Sequence, residues 1–321
     1  MKLSIFKGHS KFVFLGLSTG GLGYYYYQQT QQKSNKYTKQ DYSSSDNKSS
    51  QSLDSTQDSI KNVNQFLYSV SVRPHRLKLQ KGGEDANYAE QNLIAVADGV
   101  GGWADNGVDP AEYSNLLIKN LREIYNTNKT KYIQNPKELL IDSAQKTNIL
   151  GSSTLVMCTL DQNKDILNTT YIGDSGYCLY RFDEKGNIKL EHMFTEQQKS
   201  FNFPYQIGGK DHGDKPQTAL KFEHKIKNND VLIVGSDGLF DNLDNTQIQK
   251  QIQQAVLKNK KNIVNVQKLS SDIADEAQEK SLSKSYDSPF AQKARASKRF
   301  FYGGKEDDIT VAVAQIALKD I

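Results

Sequence analysis

A short apolar strand that ends in an acid is the feature that most constrains this 321-residue chain. Residues 93–97 form a continuous apolar run, which suits a buried strand and is too short for a helix. Asp98 and Gly99 follow at once. A carboxylate at the end of a buried strand is costly unless a positive charge meets it, and glycine lets the backbone approach a ligand. The pattern favours a bound cation, although an isolated Asp-Gly pair is more often a plain turn.

The same pattern occurs at two further strand ends. The apolar run at residues 231–236 leads directly into Asp237, and Asp307 and Asp308 stand immediately before the strand-like run at residues 309–316. Mg²⁺ and Mn²⁺ prefer oxygen ligands, which carboxylates supply. Three strand ends that carry acids therefore predict a metal site built only from oxygen atoms.

The charge distribution excludes one class of function. The formal net charge is +4, but the first forty residues hold six lysines and no acid, so the rest is close to neutral. No basic patch with interleaved aromatics recurs in the body of the chain, so we expect no nucleic-acid partner. Cys158 and Cys178 each lie inside a strand-like run, which favours buried thiols in a reducing compartment over a disulfide.

The sequence divides into three segments. Residues 1–28 are basic, apolar and glycine-rich, which predicts a targeting leader for the mitochondrial matrix, with a short membrane anchor as the alternative. Residues 29–61 have a low-complexity polar composition that cannot support a core, which predicts a disordered linker. Residues 62–321 form the folded domain, which we expect to be monomeric and to meet a membrane only through the first segment.

Two helices are marked by their start signals. Asp109 is an acidic N-cap, Pro110 follows at the first helical position, and Glu112 stands three residues past the cap. Asn135 and Pro136 repeat the signal. The first helix has one apolar face: Tyr113, Leu117, Leu121 and Ile124. Two consecutive helices after a strand predict a layer that covers one face of a sheet.

Strands dominate the rest of the domain. Four follow one another across short turns, which predicts an antiparallel meander: residues 154–160, 165–172, 177–182 and 188–194. Residues 195–209 have no clear periodicity and are interpreted as a surface loop. Further strands and helices are predicted elsewhere: strands 66–72, 219–226, 231–236 and 309–316, and helices 248–256 and 263–283. The fold class is therefore α+β, with two mainly antiparallel sheets flanked by helices.

Six separated segments give the chain a family resemblance. They occur in the order DGVGGWADNGVDPAEYS, GSSTLVMC, IGDSGY, SDGLFDN, SPFAQKA and GGKEDDITV. Together they resemble the metal-dependent serine/threonine phosphatases of the PP2C (PPM) family, most closely the PTC7-like branch, many of whose members are mitochondrial. The resemblance covers roughly residues 65–318. It implies an α-β-β-α four-layer sandwich, and phosphoproteins as substrates.

The resemblance also implies how the central acids act. Asp98 would bridge two Mg²⁺ or Mn²⁺ ions, and the carbonyl of Gly99 would bind one of them. Asp237 and Asp307 would be further ligands, with Asp307 preferred over Asp308 because it matches the first position of the family's C-terminal pair. A water that bridges the two ions would then attack the phosphorus of phosphoserine or phosphothreonine.

Three more acids belong to the implied site. Glu84 and Asp85 match a Glu-Asp pair that binds metal directly or through water. Asp174, in the segment IGDSGY, matches an acid that helps to hold a weaker third ion. Any one of these acids alone is as readily explained by a cap or a turn.

Two positions depart from the family pattern. Val100 stands where many members have a histidine proposed as the general acid, so a metal-bound water is the expected proton source. Gln80 stands where many members have a phosphate-binding arginine. Arg76, Lys78 or Lys81 could reach the phosphate instead, and the sequence does not choose among them.

Rival classes of protein find little support. A cysteine-dependent phosphatase needs arginine six residues after its cysteine, but Lys164 and Glu184 stand there after Cys158 and Cys178. A nucleotide-binding kinase would need a phosphate loop with GK[ST], which does not occur. The remaining alternative is a catalytically weak relative that binds phosphoproteins as a scaffold. The retained acids argue against it, because clustered carboxylates are costly without a function.

Overall fold

Two five-stranded antiparallel sheets form the centre of the domain. The computed structural model describes residues 63–210, 212–258 and 260–319. The predicted leader at residues 1–28 and linker at residues 29–61 lie outside the described residues. None of the helices in the described part of the chain combines the length and the apolar character that a membrane crossing requires.

The first sheet contains both the first and the last strand of the domain. Its strands, in spatial order, are β1 (Gln65–Arg73), β14 (Ile309–Ala317), β13 (Val231–Gly235), β7 (Gly176–Phe182) and β8 (Ile188–Met193). The second sheet has the order β12 (Leu220–Lys225), β6 (Ile166–Ile172), β5 (Leu155–Leu160), β3 (Leu93–Asp98) and β2 (Asp85–Glu90). Every pair of neighbours in both sheets is antiparallel.

The predicted meander is wrong in one respect. The chain does not keep β5 to β8 in one sheet, because β5 pairs with β6 in the second sheet and β7 pairs with β8 in the first. The turn at residues 173–175 therefore carries the chain from one sheet to the other. Strand periodicity indicates which residues are buried, but both sheets bury apolar side chains, so the pattern does not identify the pairing partner.

The predicted surface loop at residues 195–209 is also wrong in part. It contains short strands that form two small sheets: β9 (Gln198–Ser200) with β10 (Phe203–Pro204), and β11 (Ile207–Gly208) with β4 (Ser152–Ser153). Strands of two or three residues are too short to produce a hydrophobic period.

Helices cover the outer faces of both sheets. In chain order they are α1 (Pro110–Thr127), α2 (Lys129–Gln134), α3 (Pro136–Lys146), α4 (Asp237–Phe240), α5 (Asn245–Gln254), α6 (Val266–Leu282) and α7 (Pro289–Ala296). Short 3-10 helices occupy Gly101–Asn106 and Pro216–Thr218. Helices α1 and α3 pack on the second sheet, and α5 and α6 on the first. The predicted α-β-β-α sandwich is confirmed.

The first long helix begins where its signals predict. The Asp109 side chain accepts a hydrogen bond from the backbone N–H of Ala111 at 3.2 Å, and Pro110 is the first residue of α1. The face toward the sheet is buried: Tyr113, Leu117, Leu121 and Tyr125. Ile124 is only partly buried, because the four-residue spacing of the contact row continues to Tyr125.

Strand β3 shows why a fully apolar run belongs at the centre of this fold. Successive side chains of a strand point to opposite faces. Ile94 and Val96 enter the core between the two sheets, whereas Leu93, Ala95 and Ala97 enter the core beneath α1 and α3. Both faces of β3 are therefore covered by apolar groups, and Asp98 ends the strand where the core ends.

Candidate metal centre

Acids from both sheets meet where the central strands end. The antiparallel register of β2 and β3 places Asp85 directly opposite Asp98. In the other sheet, Ser236 stands between β13 and Asp237, and its backbone N–H donates to the carbonyl of Thr310 at 3.2 Å. The Ser236 hydroxyl donates to Oδ2 of Asp85 at 2.7 Å, across the two sheets. This hydrogen bond fixes the two strand ends against each other.

Two glycines permit the close backbone approach. A Cβ on Gly99 would lie 2.7 Å from the carbonyl oxygen of Pro110 and 2.9 Å from that of Glu84. A Cβ on Gly238 would lie 2.1 Å from the carbonyl oxygen of Asp308. All three distances are below van der Waals contact, so no side chain fits there without displacing backbone. The glycine that follows each strand-end acid is therefore required by packing.

Five carboxylates form what we call the acid cluster: Asp85, Asp98, Asp174, Asp237 and Asp307. Burial raises the pKa of Asp98 well above its usual value, and repulsion from the other four adds to the shift. Burial and the charge of Asp308 raise the pKa of Asp85 to about 8, against the opposing hydrogen bond from Ser236. Such groups ionise readily only when a cation joins them.

The chemistry of these donors fits Mg²⁺ or Mn²⁺. Oδ1 of Asp85 and Oδ1 of Asp237 are buried and accept no hydrogen bond within the described part of the chain. A buried carboxylate oxygen without a partner is costly, and a hard cation would satisfy it. The predicted ligands Asp85 and Asp237 therefore each present a free oxygen atom, and Asp98 lies opposite Asp85.

The two acids before β14 have different surroundings. Asp308 is 2% exposed, and its oxygens accept the backbone N–H groups of His75 at 2.7 Å and Glu84 at 2.9 Å. It therefore ties the segment before β2 to the start of β14. Asp307 is 26% exposed and faces Lys305. Asp308 is thus engaged by backbone N–H groups, whereas Asp307, the ligand that the motif implies, is the more exposed of the two.

Asp174 lies in the turn between the two sheets. It is buried, and the side-chain amide of Gln198 donates to its Oδ2 at 3.3 Å. Burial raises its pKa well above the usual value, and the charge of Asp237 adds to the shift. Asp174 thus stands on the Asp237 side of the acid cluster.

One lysine side chain contacts three acids at the site. The ammonium of Lys305 contacts Asp237, lies 2.8 Å from Oδ2 of Asp241, and lies 3.2 Å from Oδ2 of Asp307. Burial alone would lower the pKa of Lys305, but these three acids raise it well above its usual value. Among the residues that the structure describes, no three acidic, histidine or cysteine side chains stand as a ready-made metal cage.

The three basic residues that could bind phosphate have different partners in the structure. Arg76 pairs with Glu306, and Lys81 pairs with Asp109 at the start of α1. Lys78 instead lies 2.7 Å from Glu84 and 3.1 Å from Asp308. Of the three, Lys78 is the one paired with acids that adjoin the acid cluster in sequence, next to Asp85 and Asp307, and it is 28% exposed.

Sequence reasoning missed Lys305, Asp241 and Ser236. Lys305 stands two residues before Asp307, and its signal is a lysine within a segment that otherwise supplies ligands. Asp241 stands four residues after Asp237, a spacing that places both on one face of a helical turn. Ser236 carries no signal, because its partner Asp85 is 151 positions away in the sequence.

Carboxylates from several strand ends, gathered at the junction of two stacked antiparallel sheets, define the site of a metal-dependent hydrolase. Val100 is partly exposed, and its polar atoms are backbone atoms: its N–H donates to the carbonyl of Ser152 at 3.0 Å, and its carbonyl accepts from the N–H of Trp103 at 3.2 Å. The side chain at that position therefore supplies no proton.

Comparisons with known proteins identify the family. The chain is 33% identical over 259 residues to the protein phosphatase PTC7 homolog of Homo sapiens, which covers 74% of this chain and 82% of that protein. It is 36% identical over 246 residues to probable protein phosphatase 2C 55 of Arabidopsis thaliana, covering 76% of this chain and 50% of that protein. No family model matches. The chain belongs to the PP2C family of protein phosphatases, as its six segments predicted.

Solved structures agree on the fold. The X-ray structure of the photosystem II phosphatase PBCP superposes with a TM-score of 0.69 at 29% identity, over 78% of this chain and 98% of that one. The catalytic domain of the serine/threonine phosphatase PstP, solved with two manganese ions, superposes with a TM-score of 0.50 at 17% identity, over 79% and 99%. The second likeness shows the shared fold alone.

Proposed function

We propose that this PP2C-type phosphatase hydrolyses phosphoserine and phosphothreonine in proteins, with two Mg²⁺ or Mn²⁺ ions at the acid cluster. The observation that carries the proposal is the pair of buried carboxylate oxygens, Oδ1 of Asp85 and Oδ1 of Asp237, that no described group satisfies. The bound ions would supply a water of lowered pKa as the nucleophile for phosphorus. Members of the family at 33% identity, named as protein phosphatases, support the same chemistry.

The residues of the chain hold and orient this centre. Asp98 would be the central ligand, because it ends β3 directly opposite Asp85. Asp237 and Asp307 would be ligands from the first sheet, together with the carbonyl of Gly99 from the second. Asp85 would be a further ligand, and the Ser236 hydroxyl on its Oδ2 leaves its Oδ1 for an ion.

We propose that the ammonium of Lys78 binds the substrate phosphate. Its ammonium is partly exposed beside Glu84, so it can exchange a carboxylate contact for a phosphate oxygen. A lysine ammonium is a strong point charge for phosphate. The pKa of Lys78 is raised, because its hydrogen bond with Glu84 and the charge of Asp308 outweigh the lowering effect of burial, so it stays charged at neutral pH.

The alternative function is that of a phosphoprotein-binding scaffold with little turnover. Lys305 favours it, since its ammonium already neutralises part of the charge of Asp237 and Asp307. Phosphate release from a phosphothreonine peptide by the purified protein, with manganese and with chelator, separates the two functions. Release that depends on manganese supports the enzyme, and binding of the peptide without any release would establish the scaffold.

We also propose that the protein acts in the mitochondrial matrix. Six lysines and no acid in the first forty residues support this, and membrane anchoring through residues 1–28 is the alternative. Residues 1–40 fused to a fluorescent protein should enter mitochondria. A diffuse cytosolic signal would contradict the proposal, and a reticular membrane signal would favour the anchor.

A further inference from the structure

A single lysine joins three acids beside the proposed metal centre. The Lys305 side chain is 15% exposed, and its ammonium contacts Asp237, Asp241 and Asp307. These acids come from two separate parts of the chain, the helix α4 region and the segment before β14. A buried lysine is costly unless its charge is paired. Three carboxylates around one ammonium more than meet that requirement.

The position of Lys305 is fixed along its whole length. Its backbone N–H donates to Oδ1 of Asn242 at 2.9 Å, and Nδ2 of Asn242 donates to the Lys305 carbonyl at 2.8 Å. Asn242 is fully buried. At the other end, the ammonium lies 5.1 Å from the centroid of the Phe290 ring. The main chain of Lys305 is therefore fixed by Asn242, and its ammonium by the Phe290 ring and the three carboxylates.

The lysine uses one oxygen of each acid and leaves Oδ1 of Asp237 free. It contacts Oδ2 of Asp237, of Asp241 and of Asp307. Oδ1 of Asp237 is buried with no partner within the described residues, and Oδ1 of Asp307 accepts the backbone N–H of Asp308 at 2.9 Å. Asp237 can thus bind an ion through Oδ1 while Lys305 remains on Oδ2.

We propose that Lys305 is a built-in third cation, which fills the place beside Asp237 and Asp241 where a weaker third ion would otherwise bind. The inference rests on the proposed two-ion function. In consequence the chain binds two ions and needs no third, and Asp174 stabilises this positive charge rather than holding an ion. Lys305 also offsets part of the carboxylate repulsion before any metal binds.

A second lysine provides a matched control. Lys293, in α7, contacts Glu196 and lies 3.4 Å from Oδ1 of Asp241. It thus shares Asp241 with Lys305 but contacts neither Asp237 nor Asp307 in the described structure. Lys293→Met removes a lysine from the same neighbourhood without opening the proposed place for an ion.

The first measurement counts manganese ions by isothermal titration of the full chain. We expect two ions for the wild-type protein and for Lys293→Met, and three for Lys305→Met. Equal numbers for the wild type and Lys305→Met would overturn the inference while leaving the two-ion proposal intact. A wild-type protein that binds no manganese would overturn both.

The second measurement is thermal stability in chelator. Removing one partner of a buried charge group leaves the others uncompensated, so Lys305→Met should lower Tm by roughly 10 °C, and manganese should restore most of the loss. A Tm in chelator equal to that of the wild type would contradict the proposed charge role.

A double variant distinguishes the effect of the Lys305 charge from the effect of its packing. It also tests the inference if Lys305→Met alone does not fold. Lys305→Met with Asp241→Asn removes one negative charge along with the positive one. If Lys305 acts through its charge, the double variant should be more stable in chelator than Lys305→Met. If it is no more stable, Lys305 acts through packing, and the inference is wrong.

Discussion

Two clusters of titratable side chains that lie between the sheets differ in how they are charged. The acid cluster gathers carboxylates that repel one another and are offset by the Lys305 ammonium. The second group, which we call the histidine cluster, consists of Tyr177, His192 and His224. Its imidazole rings lie 4.5 Å apart, and the Tyr177 hydroxyl lies 2.8 Å from Nε2 of His224.

Burial has different consequences for the charge of the two clusters. Burial lowers the pKa of His224 to about 4, with the neighbouring His192 adding to the shift, and burial also lowers the pKa of His192. The histidine cluster is therefore neutral at pH 7 and serves as packing between the edge strands β8 and β12. In the acid cluster, burial and mutual repulsion raise the pKa values of Asp85, Asp98 and Asp174, so these acids ionise readily only when cations match them. Burial therefore leaves the histidines neutral and uncharged, whereas it makes the acids depend on a cation.

The largest expected effect is on Asp98. Asp98→Asn keeps the shape of the side chain and removes a charge, so turnover of a phosphothreonine peptide at saturating manganese should fall about a thousandfold. In chelator the variant should be at least as stable as the wild type, because repulsion is relieved. Asp105→Asn, an exposed acid in the adjacent 3-10 helix, is the control and should keep wild-type rates. Near-normal turnover by Asp98→Asn would refute the two-ion site.

A smaller effect is expected at Lys78. Lys78→Met removes a charge-assisted contact with phosphate, so kcat/KM should fall by about thirtyfold, chiefly through KM. Lys81→Met is the matched control, because Lys81 pairs with Asp109 instead. Steady-state kinetics measures both. Equal losses in the two variants would remove Lys78 from the phosphate site.

Asp174 should matter less. Asp174→Asn leaves the two tight ions in place but weakens the support of the charge beside Asp237, so we expect a roughly tenfold fall in turnover. Titration with manganese should give the wild-type number of ions. Loss of a tight ion in this variant would show that Asp174 is a direct ligand of the central pair.

Val100→His should change pH dependence more than rate. A histidine there can donate a proton to a poor leaving group, so the pH profile for a phosphothreonine peptide should shift. The profile for p-nitrophenyl phosphate, whose leaving group needs little protonation, should stay nearly the same. Identical profiles for the two proteins on both substrates would exclude any role for this position in proton transfer.

The histidine cluster should give the smallest effect on turnover. His224→Phe should leave the rate unchanged. In the wild type, the folded pKa of His224 is lowered from 6.5 to about 4, so its contribution to stability is present above pH 6.5 and is lost as the pH falls toward 4. The variant should therefore show a flatter dependence of Tm on pH in this range. A reduced turnover at pH 7 would contradict the view that the histidine cluster serves only packing.

The sequence predicted what local patterns determine. Adjacent residues in the sequence predicted the acid at the end of β3, the acid that follows β13 and the N-cap of α1 at Asp109, and the structure places all three as predicted. The free thiols of Cys158 and Cys178 are buried as expected.

The missing parts depend on distant partners. The turn at residues 173–175 moves the chain between sheets, and no local pattern reports that change. The roles of Lys305 and Ser236 arise from contacts with acids that lie on other elements. Charge pairing of this kind becomes visible only when the strands are assembled.

The pairing of β1 with β14 has a consequence for the making of the protein. The strand at Gln65–Arg73 pairs along its length with Ile309–Ala317, which in turn lies against β13 inside the same sheet. A ribosome that has released only part of the domain has therefore not yet supplied a central strand, nor Asp307 at its start. Long-range strand pairing of this kind is slow to form and leaves edges exposed meanwhile. A nascent chain should stay inactive until β14 is released. A chain that terminates before β14 should be degraded by proteases and should have no partial activity.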